Sequence, residues 1–136
     1  MLACKEFDYP AVGIDMLPIA TYVAGIKLLD WPDLDCLTVA VDRLMAATKK
    51  SPSSAFPDVK IVDRAFPKDV QQDILFYKEE IRKFDNPTRD FLMLGLLSIL
   101  EEVSFTSKDG QFLRLVEKRI PKVKDALRRH RVPSKS

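Results

Sequence analysis

The sequence predicts a mainly α fold of five or six helices, with one or two residual strands. Apolar residues recur at spacings of three and four over most of the 136 residues, which is the period of a helix with one buried face. The run Ala11 to Ile14 differs, because a short apolar run is typical of a strand buried on both faces of a parallel sheet. The chain therefore divides into a strand-containing part, residues 1–30, and a helical part, residues 31–136.

The strand-containing part consists of a helix end, a strand and a complete helix. Residues 2–7 have the pattern of the last turns of a helix, and residues 8–10 form the turn into a strand from Ala11 to Asp15. Pro18 suits the first position of the next helix, because its fixed φ matches the helix and no N–H is needed there. This helix, through Leu29, is apolar nearly all round, so we expect it to be buried.

The helical part begins with one amphipathic helix and a linker. Asp33 can cap the helix, whose apolar residues from Leu34 to Met45 share one face. Residues 49–66 are linker-like, with a weak strand signal at residues 59–62.

Three further helices are predicted behind the linker. Pro67 starts a helix with an amphipathic seam, and Asn86–Pro87 start a helix from Thr88 to Val103 that is apolar on almost every side. We expect this second helix at the centre of the core. After a turn at residues 108–110, a basic helix from Phe112 is interrupted or restarted at Pro121.

Composition and the cysteine pattern narrow the class of protein. An apolar content of 46% and a charged content of 31% are ordinary for a globular domain. Residues 91–100 form an apolar run too short to span a bilayer, and the first residues lack a signal-peptide pattern, so a cytoplasmic protein without a membrane partner is predicted. Cys4 and Cys36 are far apart and only one histidine is present, which predicts reduced thiols and no metal site.

The charge is unevenly distributed along the chain. Residues 112–136 carry nine basic and two acidic side chains, or +7, whereas residues 1–111 carry 13 basic and 18 acidic side chains, or −5. A basic tail on an acidic body favours an anionic partner, above all nucleic acid, and the alternative is a solvated helix end. The candidate phosphate contacts are Arg114, Lys118, Lys122, Arg128 and Arg129.

These basic residues could contribute to the affinity for DNA, but they could not distinguish one base sequence from another, because phosphate contacts carry no information about the bases. Arg114, Lys118, Lys122 and Arg129 could share a face only if the helix continued through Pro121. The tail beyond Ile120 is expected to be removable without loss of the fold.

Asp15 is the best candidate for binding a small molecule. A carboxylate at the end of a buried strand can accept hydrogen bonds from both hydroxyls of a ribose, as in nucleotide-binding folds. The alternative is that Asp15 caps the helix that starts at Pro18. The sequence contains no acid/base pair and no phosphate-binding glycine loop, so no catalytic residue is assigned.

The segment around Asp15 resembles a known enzyme family. Gly13-Ile14-Asp15, followed by Pro18, is similar to the Gly-Ile-(Asp or Glu)-x-x-Pro strand end of prokaryotic site-specific DNA amino-methyltransferases. Downstream, residues 89–92 (Arg-Asp-Phe-Leu), 98–104 (Ser-Ile-Leu-Glu-Glu-Val-Ser) and 108–110 (Lys-Asp-Gly) are similar to a helical insertion that some of these enzymes carry. The resemblance covers most of the chain.

The resemblance implies a Rossmann-like α/β methyltransferase fold, of which residues 1–30 are a remnant of the cofactor-binding unit. It implies methyl transfer from S-adenosylmethionine to an exocyclic amino group of adenine or cytosine in DNA. Asp15 would bind the ribose of this cofactor and Met16 would pack on its adenine.

The same resemblance implies a fragment of such an enzyme. The family's glycine-rich cofactor loop does not precede Leu2, and its Pro-Pro-Tyr motif does not occur in the chain. We therefore expect a truncated methyltransferase that is inactive alone, with weak or no cofactor binding and weak, non-specific DNA binding. The expected protein partner is the missing methyltransferase segment or a second copy.

Two alternatives from other classes stay open. One is a small helical module that binds nucleic acid or protein without catalysis, using the basic tail. The other is a structural remnant that dimerises through an exposed strand edge and an apolar helix.

Overall fold

The computed structural model describes residues 1–31, 33–109 and 112–129. Seven helices and one two-stranded antiparallel sheet are found in these residues, which confirms the mainly α fold. The helices are α1 (Leu2–Glu6), α2 (Pro18–Lys27), α3 (Leu34–Ala46), α4 (Lys60–Ala65), α5 (Lys68–Ile81), α6 (Thr88–Ser98) and α7 (Val123–Arg129). The strands are β1 (Thr106–Asp109) and β2 (Phe112–Leu115). No helix among the described residues is both long and apolar enough to cross a bilayer.

Local chemistry sets several helix starts where the sequence predicts them. The carboxylate of Asp33 accepts a hydrogen bond from the backbone N–H of Asp35 at 2.8 Å, which satisfies one of the unpaired donors at the start of α3. Pro18 occupies the first position of α2. α6 starts at Thr88, directly after Pro87.

The core lies between α3, α5, α6 and α7. α5 packs against α3, α6 and α7, so it is the helix that most of the others share. The side chains that are completely buried come from the end of α5, the segment after α6, and α7: they are Ile81, Ile99, Val103, Ser104, Val123 and Ala126. The expectation of a central apolar helix at residues 88–103 holds in part, because α6 ends at Ser98 and residues 99–103 continue as turns.

The hairpin β1–β2 is joined to the core by backbone hydrogen bonds. Thr106 pairs with Leu115 and Ser107 with Arg114 in the antiparallel register. Just before β1, the N–H of Phe105 donates a hydrogen bond to the carbonyl of Ala65 at 2.7 Å. The carbonyl of Phe105 accepts a hydrogen bond from the N–H of Val116 at 2.9 Å. The hairpin is therefore held against the end of α4.

The linker between α3 and α4 is attached to α5 through Glu79, and Lys49 in the linker also forms an ion pair with Asp73 of α5. Oε1 of Glu79 accepts hydrogen bonds from the N–H and hydroxyl groups of both Ser53 and Ser54, at 2.8–2.9 Å. These bonds, with those from Ser54 the strongest, lower the pKa of Glu79 to about 2. The linker is thus ordered by a charged acceptor.

The predicted strand at Ala11–Asp15 is wrong for this chain. Residues 11–16 belong to no strand, and Val12, Ile14 and Met16 are 91–96% exposed. A strand forms only when neighbouring backbone groups pair with it, and the one sheet within the described residues is the distant β1–β2 hairpin.

Two other element predictions are corrected. The basic helix predicted from Phe112 is instead β2, followed by irregular chain up to α7 at Val123, because residues 112–115 pair with β1. The weak strand signal at residues 59–62 falls on the start of α4. Gly110, in the predicted turn, lies outside the described residues.

Candidate functional site

A groove rich in basic side chains lies where the chain passes from β2 to α7. Its volume is about 640 Å³ and it is open to solvent. It is lined by Glu102, Lys118, Arg119, Ile120, Pro121, Lys122, Asp125 and Arg129, four basic and two acidic side chains among them. We refer to these residues as the basic groove. The excess of positive charge makes it suited to an anion such as a nucleic-acid phosphate.

Two of the predicted basic residues hold the groove together. Nζ of Lys118 donates hydrogen bonds to the backbone carbonyls of Glu101 and Thr106, both at 2.8 Å. Arg129 forms an ion pair with Glu102. The first contact ties the segment after β2 to β1, and the second ties the end of α7 to the turns that follow α6. Lys118 and Arg129 therefore have structural roles as well as charge.

The remaining basic residues differ in their relation to the groove. Lys122 and Arg119 are exposed and line it, so they can reach a ligand without leaving a buried contact. Arg128 is exposed on α7, and Arg114 is exposed on β2 opposite Ser107; neither lines the groove.

The structure thus brings three of the five predicted phosphate contacts to one place. Lys118, Lys122 and Arg129 meet there, although the chain is not a continuous helix through Pro121. Arg119 also lines the groove, although it was not among the predicted phosphate contacts. Its place in the run of basic residues is the sequence feature that could have identified it. Arg131 and Lys135 lie outside the described residues.

α7 belongs to the core. Val123 and Ala126 are completely buried, and Ala126 donates a backbone hydrogen bond to the carbonyl of Lys122 at 3.0 Å. The expectation that the chain can be cut after Ile120 is therefore corrected, because the cut removes core side chains together with the charges.

Asp15 and Met16 lie at the start of α2. Oδ1 of Asp15 accepts a hydrogen bond from the N–H of Leu17 at 2.8 Å, and the carbonyl of Leu17 accepts from Ala20 at 2.9 Å. Asp15 therefore forms a local turn that ends at Leu17; the alternative that it caps α2 is wrong, because no side chain caps that helix.

Asp15 and Met16 form no cradle for a nucleoside within the described residues. Both are exposed, and the neighbouring open cavity of about 440 Å³ is lined by Met1, Lys5, Asp8, Tyr9, Pro10, Ala11 and Leu28 instead. The carboxylate of Asp15 can accept hydrogen bonds from ribose hydroxyls, but the described residues around it do not form the walls of a nucleoside site. The cofactor role of the two residues stays a prediction.

Two features of the described cysteines and acidic residues bear on their reactivity, namely their grouping and the environment of Cys36. No group of three metal-ligating side chains comes together among the residues that the structure describes. The thiol of Cys36 donates to Oδ2 of Asp33 at 2.9 Å, and this carboxylate raises the pKa of Cys36. A thiol held in its protonated form is a poor nucleophile.

Comparison with known proteins identifies relatives of the chain. No protein-family model matches it, and no solved structure gives a significant match. It is 31% identical over 116 residues to the type II methyltransferase M.BsoBI of Geobacillus stearothermophilus, an alignment that covers 83% of this chain and 23% of that protein. It is 28% identical over 123 residues to the type II methyltransferases M.AvaI of Nostoc sp. and of Anabaena variabilis, covering 84% of this chain and 24% of each relative.

The chain thus spans about a quarter of the length of these curated relatives. Because they cover 83–84% of the chain, these alignments include most of the helical part. The chain is therefore homologous, over more than four-fifths of its length, to a segment of type II DNA methyltransferases.

Proposed function

We propose that the chain is the helical, DNA-contacting part of an enzyme that methylates an exocyclic amino group of adenine or cytosine in DNA. The observation that supports this most strongly is the 31% identity to a type II methyltransferase over 83% of the chain. The match of residues 13–18 to the family's strand end supports the amino-methyltransferase class.

The basic groove is the part that contacts DNA. Lys122 and Arg119 line it with exposed charges, while Lys118 and Arg129 shape it through their contacts to Thr106 and Glu102. Phosphate oxygens are the partners that such charges favour, and binding of this kind releases counterions from DNA. The contribution of the groove is thus affinity and placement on the duplex, without base recognition.

In the complete enzyme, Asp15 and Met16 contact S-adenosylmethionine. The carboxylate of Asp15 accepts hydrogen bonds from the ribose hydroxyls, and Met16, exposed beside it, packs on the adenine. S-adenosylmethionine supplies the methyl group as the electrophile. The remaining walls of the cofactor site and the groups that grip the target base come from other segments, so the isolated chain is inactive and binds the cofactor weakly or not at all.

A chimera tests the enzyme assignment. The matched segment of M.BsoBI is replaced by this chain, and transfer of labelled methyl groups from S-adenosylmethionine to DNA is measured. We expect methylation, and Asp15→Ala should weaken cofactor affinity by about 1–3 kcal/mol, because ribose hydroxyls lose their acceptor. A folded chimera without methyl transfer contradicts the assignment. An unchanged dissociation constant for Asp15→Ala leaves Asp15 with only its local turn before α2.

A second candidate is a nucleic-acid-binding module without catalysis, favoured by the fact that this chain forms the basic groove by itself. Both candidates predict non-specific DNA binding by the isolated chain. With about four phosphate contacts, the log–log salt slope should be near −3.6. Lys122→Gln should reduce the slope by about 0.9, whereas Lys27→Gln, on α2, should leave it unchanged. Equal slopes for all three proteins show that the groove does not bind DNA, and only methyl transfer by the chimera separates the two candidates.

A further inference from the structure

The hairpin β1–β2 is fixed beside the basic groove. Nζ of Lys118, which lines the basic groove, donates hydrogen bonds to the carbonyl of Thr106 on β1 and to the carbonyl of Glu101, both at 2.8 Å. Oε1 of Glu101 accepts a hydrogen bond from the N–H of Lys108 at 3.1 Å. A ligand held in the basic groove therefore lies next to the base of the hairpin.

The outer edge of β1 is occupied by side chains. The N–H of Thr106 donates to the hydroxyl of Ser104 at 3.2 Å, and its carbonyl accepts from Lys118. The N–H of Lys108 donates to Glu101. A further strand would need these same backbone groups, because β2 pairs with the other edge of β1. A protein partner that adds a strand at this edge is therefore disfavoured, and the faces of the hairpin are what a ligand can reach.

The outward face of the hairpin carries hydrogen-bonding side chains. Paired residues of an antiparallel ladder share a face, so Ser107 and Arg114 lie together, on the face opposite to that of Thr106. Thr106 is buried, and its hydroxyl shares a hydrogen bond with that of the buried Ser104. Arg114 is exposed and Ser107 is half-buried. At the base of the hairpin, the Thr106 side thus faces the core and the Arg114 side faces solvent.

The dimensions of the hairpin match one groove of duplex DNA. Each strand has 4 residues, and with about 3.4 Å per residue the paired strands are about 10 Å long. The major groove of B-DNA is about 12 Å wide and about 8.5 Å deep, and it admits a two-stranded ribbon, whereas the minor groove is only about 6 Å wide. The hairpin can therefore enter the major groove while neighbouring phosphates occupy the basic groove.

Arg114 has the chemistry to recognise a base in that position. A guanidinium presents N–H donors in a planar fork, and O6 and N7 of guanine are adjacent acceptors in the major groove. The basic run of the sequence predicts Arg114 as a phosphate contact, but Arg114 lies on the hairpin and does not line the basic groove, as Arg119 and Lys122 do. The two kinds of contact that DNA recognition requires are therefore separated in space.

We propose that the hairpin β1–β2 enters the major groove of the DNA substrate, and that Arg114 donates hydrogen bonds to O6 and N7 of a guanine in the recognition sequence. The proposal rests on the proposed function, because it takes the duplex held by the basic groove to be the substrate. Lys118 is a positioning residue, since it joins the wall of the basic groove to β1 and so fixes the hairpin relative to the phosphates.

Binding of the isolated chain to modified DNA tests the contact. A duplex of guanine–cytosine pairs is compared with the same duplex containing 7-deazaguanine, which lacks the N7 acceptor of the major groove. The affinity of the wild type should fall about fivefold on this replacement, because one arm of the arginine contact is lost. Arg114→Ala should bind both duplexes equally. Arg82→Ala, at an exposed arginine that follows α5, is the matched control and should behave as the wild type.

Two results of this comparison contradict the proposal. One is a wild type that binds both duplexes equally, which needs no variant to be informative. The other is a phosphate role for Arg114, in which Arg114→Ala weakens binding to both duplexes alike, reduces the log–log salt slope by about 0.9 and still distinguishes 7-deazaguanine.

The M.BsoBI chimera tests whether the contact determines which sequence is methylated. The chimera is given duplexes with randomised bases, and the methylated duplexes are sequenced. Guanine should be preferred at one position or more, and Arg114→Ala should reduce one such preference at least about fivefold while the other positions keep theirs. Arg82→Ala should leave every preference in place.

The outcomes separate the proposal from the proposed function. A chimera that methylates DNA with the same preferences after Arg114→Ala overturns the proposal and leaves the function standing. A folded chimera without methyl transfer contradicts the function, and the comparison with 7-deazaguanine then decides by itself whether the hairpin contacts guanine.

Discussion

The same residue type has opposite environments in the two halves of this molecule. Ile99, after α6, is completely buried, whereas Ile14, before α2, is 95% exposed. Both lie in apolar runs that predict burial. The difference is the position of the partner, because the runs in α5 and α6 pack against each other, while the side chains of Val12, Ile14 and Met16 lie almost entirely in solvent. A hydrophobic pattern predicts that a surface will be covered, but not by which part of a protein.

Tyr22 connects the two halves, and Trp31, the first residue of the helical part, packs on the same helix of the core. The hydroxyl of Tyr22, on α2, lies 3.3 Å from both the carbonyl and the carboxylate of Asp90 on α6. The ring of Trp31 meets that of Phe91 edge to face at 5.3 Å. The N-terminal residues, most of them exposed, are therefore attached to the core through α2. The comparison between the halves can be tested by substitutions in each half and at Tyr22.

The largest expected difference is between isoleucine-to-alanine substitutions in the two halves. Ile99→Ala should lower the free energy of unfolding by about 2–5 kcal/mol, because it leaves a cavity beside Val103 and the other buried side chains. Ile14→Ala should change it by less than about 0.5 kcal/mol, since the side chain contacts mainly water. Urea unfolding of both variants measures the difference. Similar losses would show that Ile14 is buried in the isolated chain.

A smaller effect on the free energy of unfolding is expected at Tyr22, which connects α2 to α6. Tyr22→Phe removes the hydroxyl that bonds to Asp90 and should cost about 0.5–1 kcal/mol, toward the low end because the bond is long and only partly buried. Tyr9→Phe is the matched control, because Tyr9 is exposed in the N-terminal half. Equal midpoints in urea for the two variants would mean that the Tyr22 hydroxyl does not stabilise the attachment of α2.

The smallest effect concerns the linker and depends on pH. The pKa of Glu79 is lowered to about 2 from an ordinary 4.5, so its bonds to Ser53 and Ser54 stabilise the fold fully above about pH 4.5. This contribution is lost as the pH falls toward 2. The melting temperature of Glu79→Gln should thus be lower than that of the wild type at pH 7. This difference in melting temperature should become smaller between about pH 4.5 and about pH 2. Glu80→Gln, which loses the Lys83 ion pair and leaves Ser53 and Ser54 their acceptor, is the control, and it should lower the melting temperature at pH 7 by less, because an ion pair with an exposed lysine contributes little. If the difference in melting temperature between Glu79→Gln and the wild type does not change with pH, the charge of the Glu79 carboxylate does not stabilise the linker.

The helices were largely predictable, and the site only in part. The spacing of apolar residues and the cap at Asp33 locate α3 and α5 closely, because these signals act within a few residues of the chain. The run of basic residues indicated an anion-binding surface. It did not indicate that Lys118 and Arg129 also hold β1 and Glu102 in place, because those partners are distant in sequence.

The sequence by itself determined the mainly α class, the positions of most helices, the basic character of residues 112–129 and the relationship to DNA methyltransferases. Each of these depends on local periodicity, composition or motif. Only the tertiary structure decided that residues 112–115 form a hairpin strand, that α7 is part of the core, and that residues 11–17 are exposed. Those outcomes depend on which distant backbone and side-chain groups are available to pair, and a strand pattern without a neighbouring strand cannot satisfy its own hydrogen bonds.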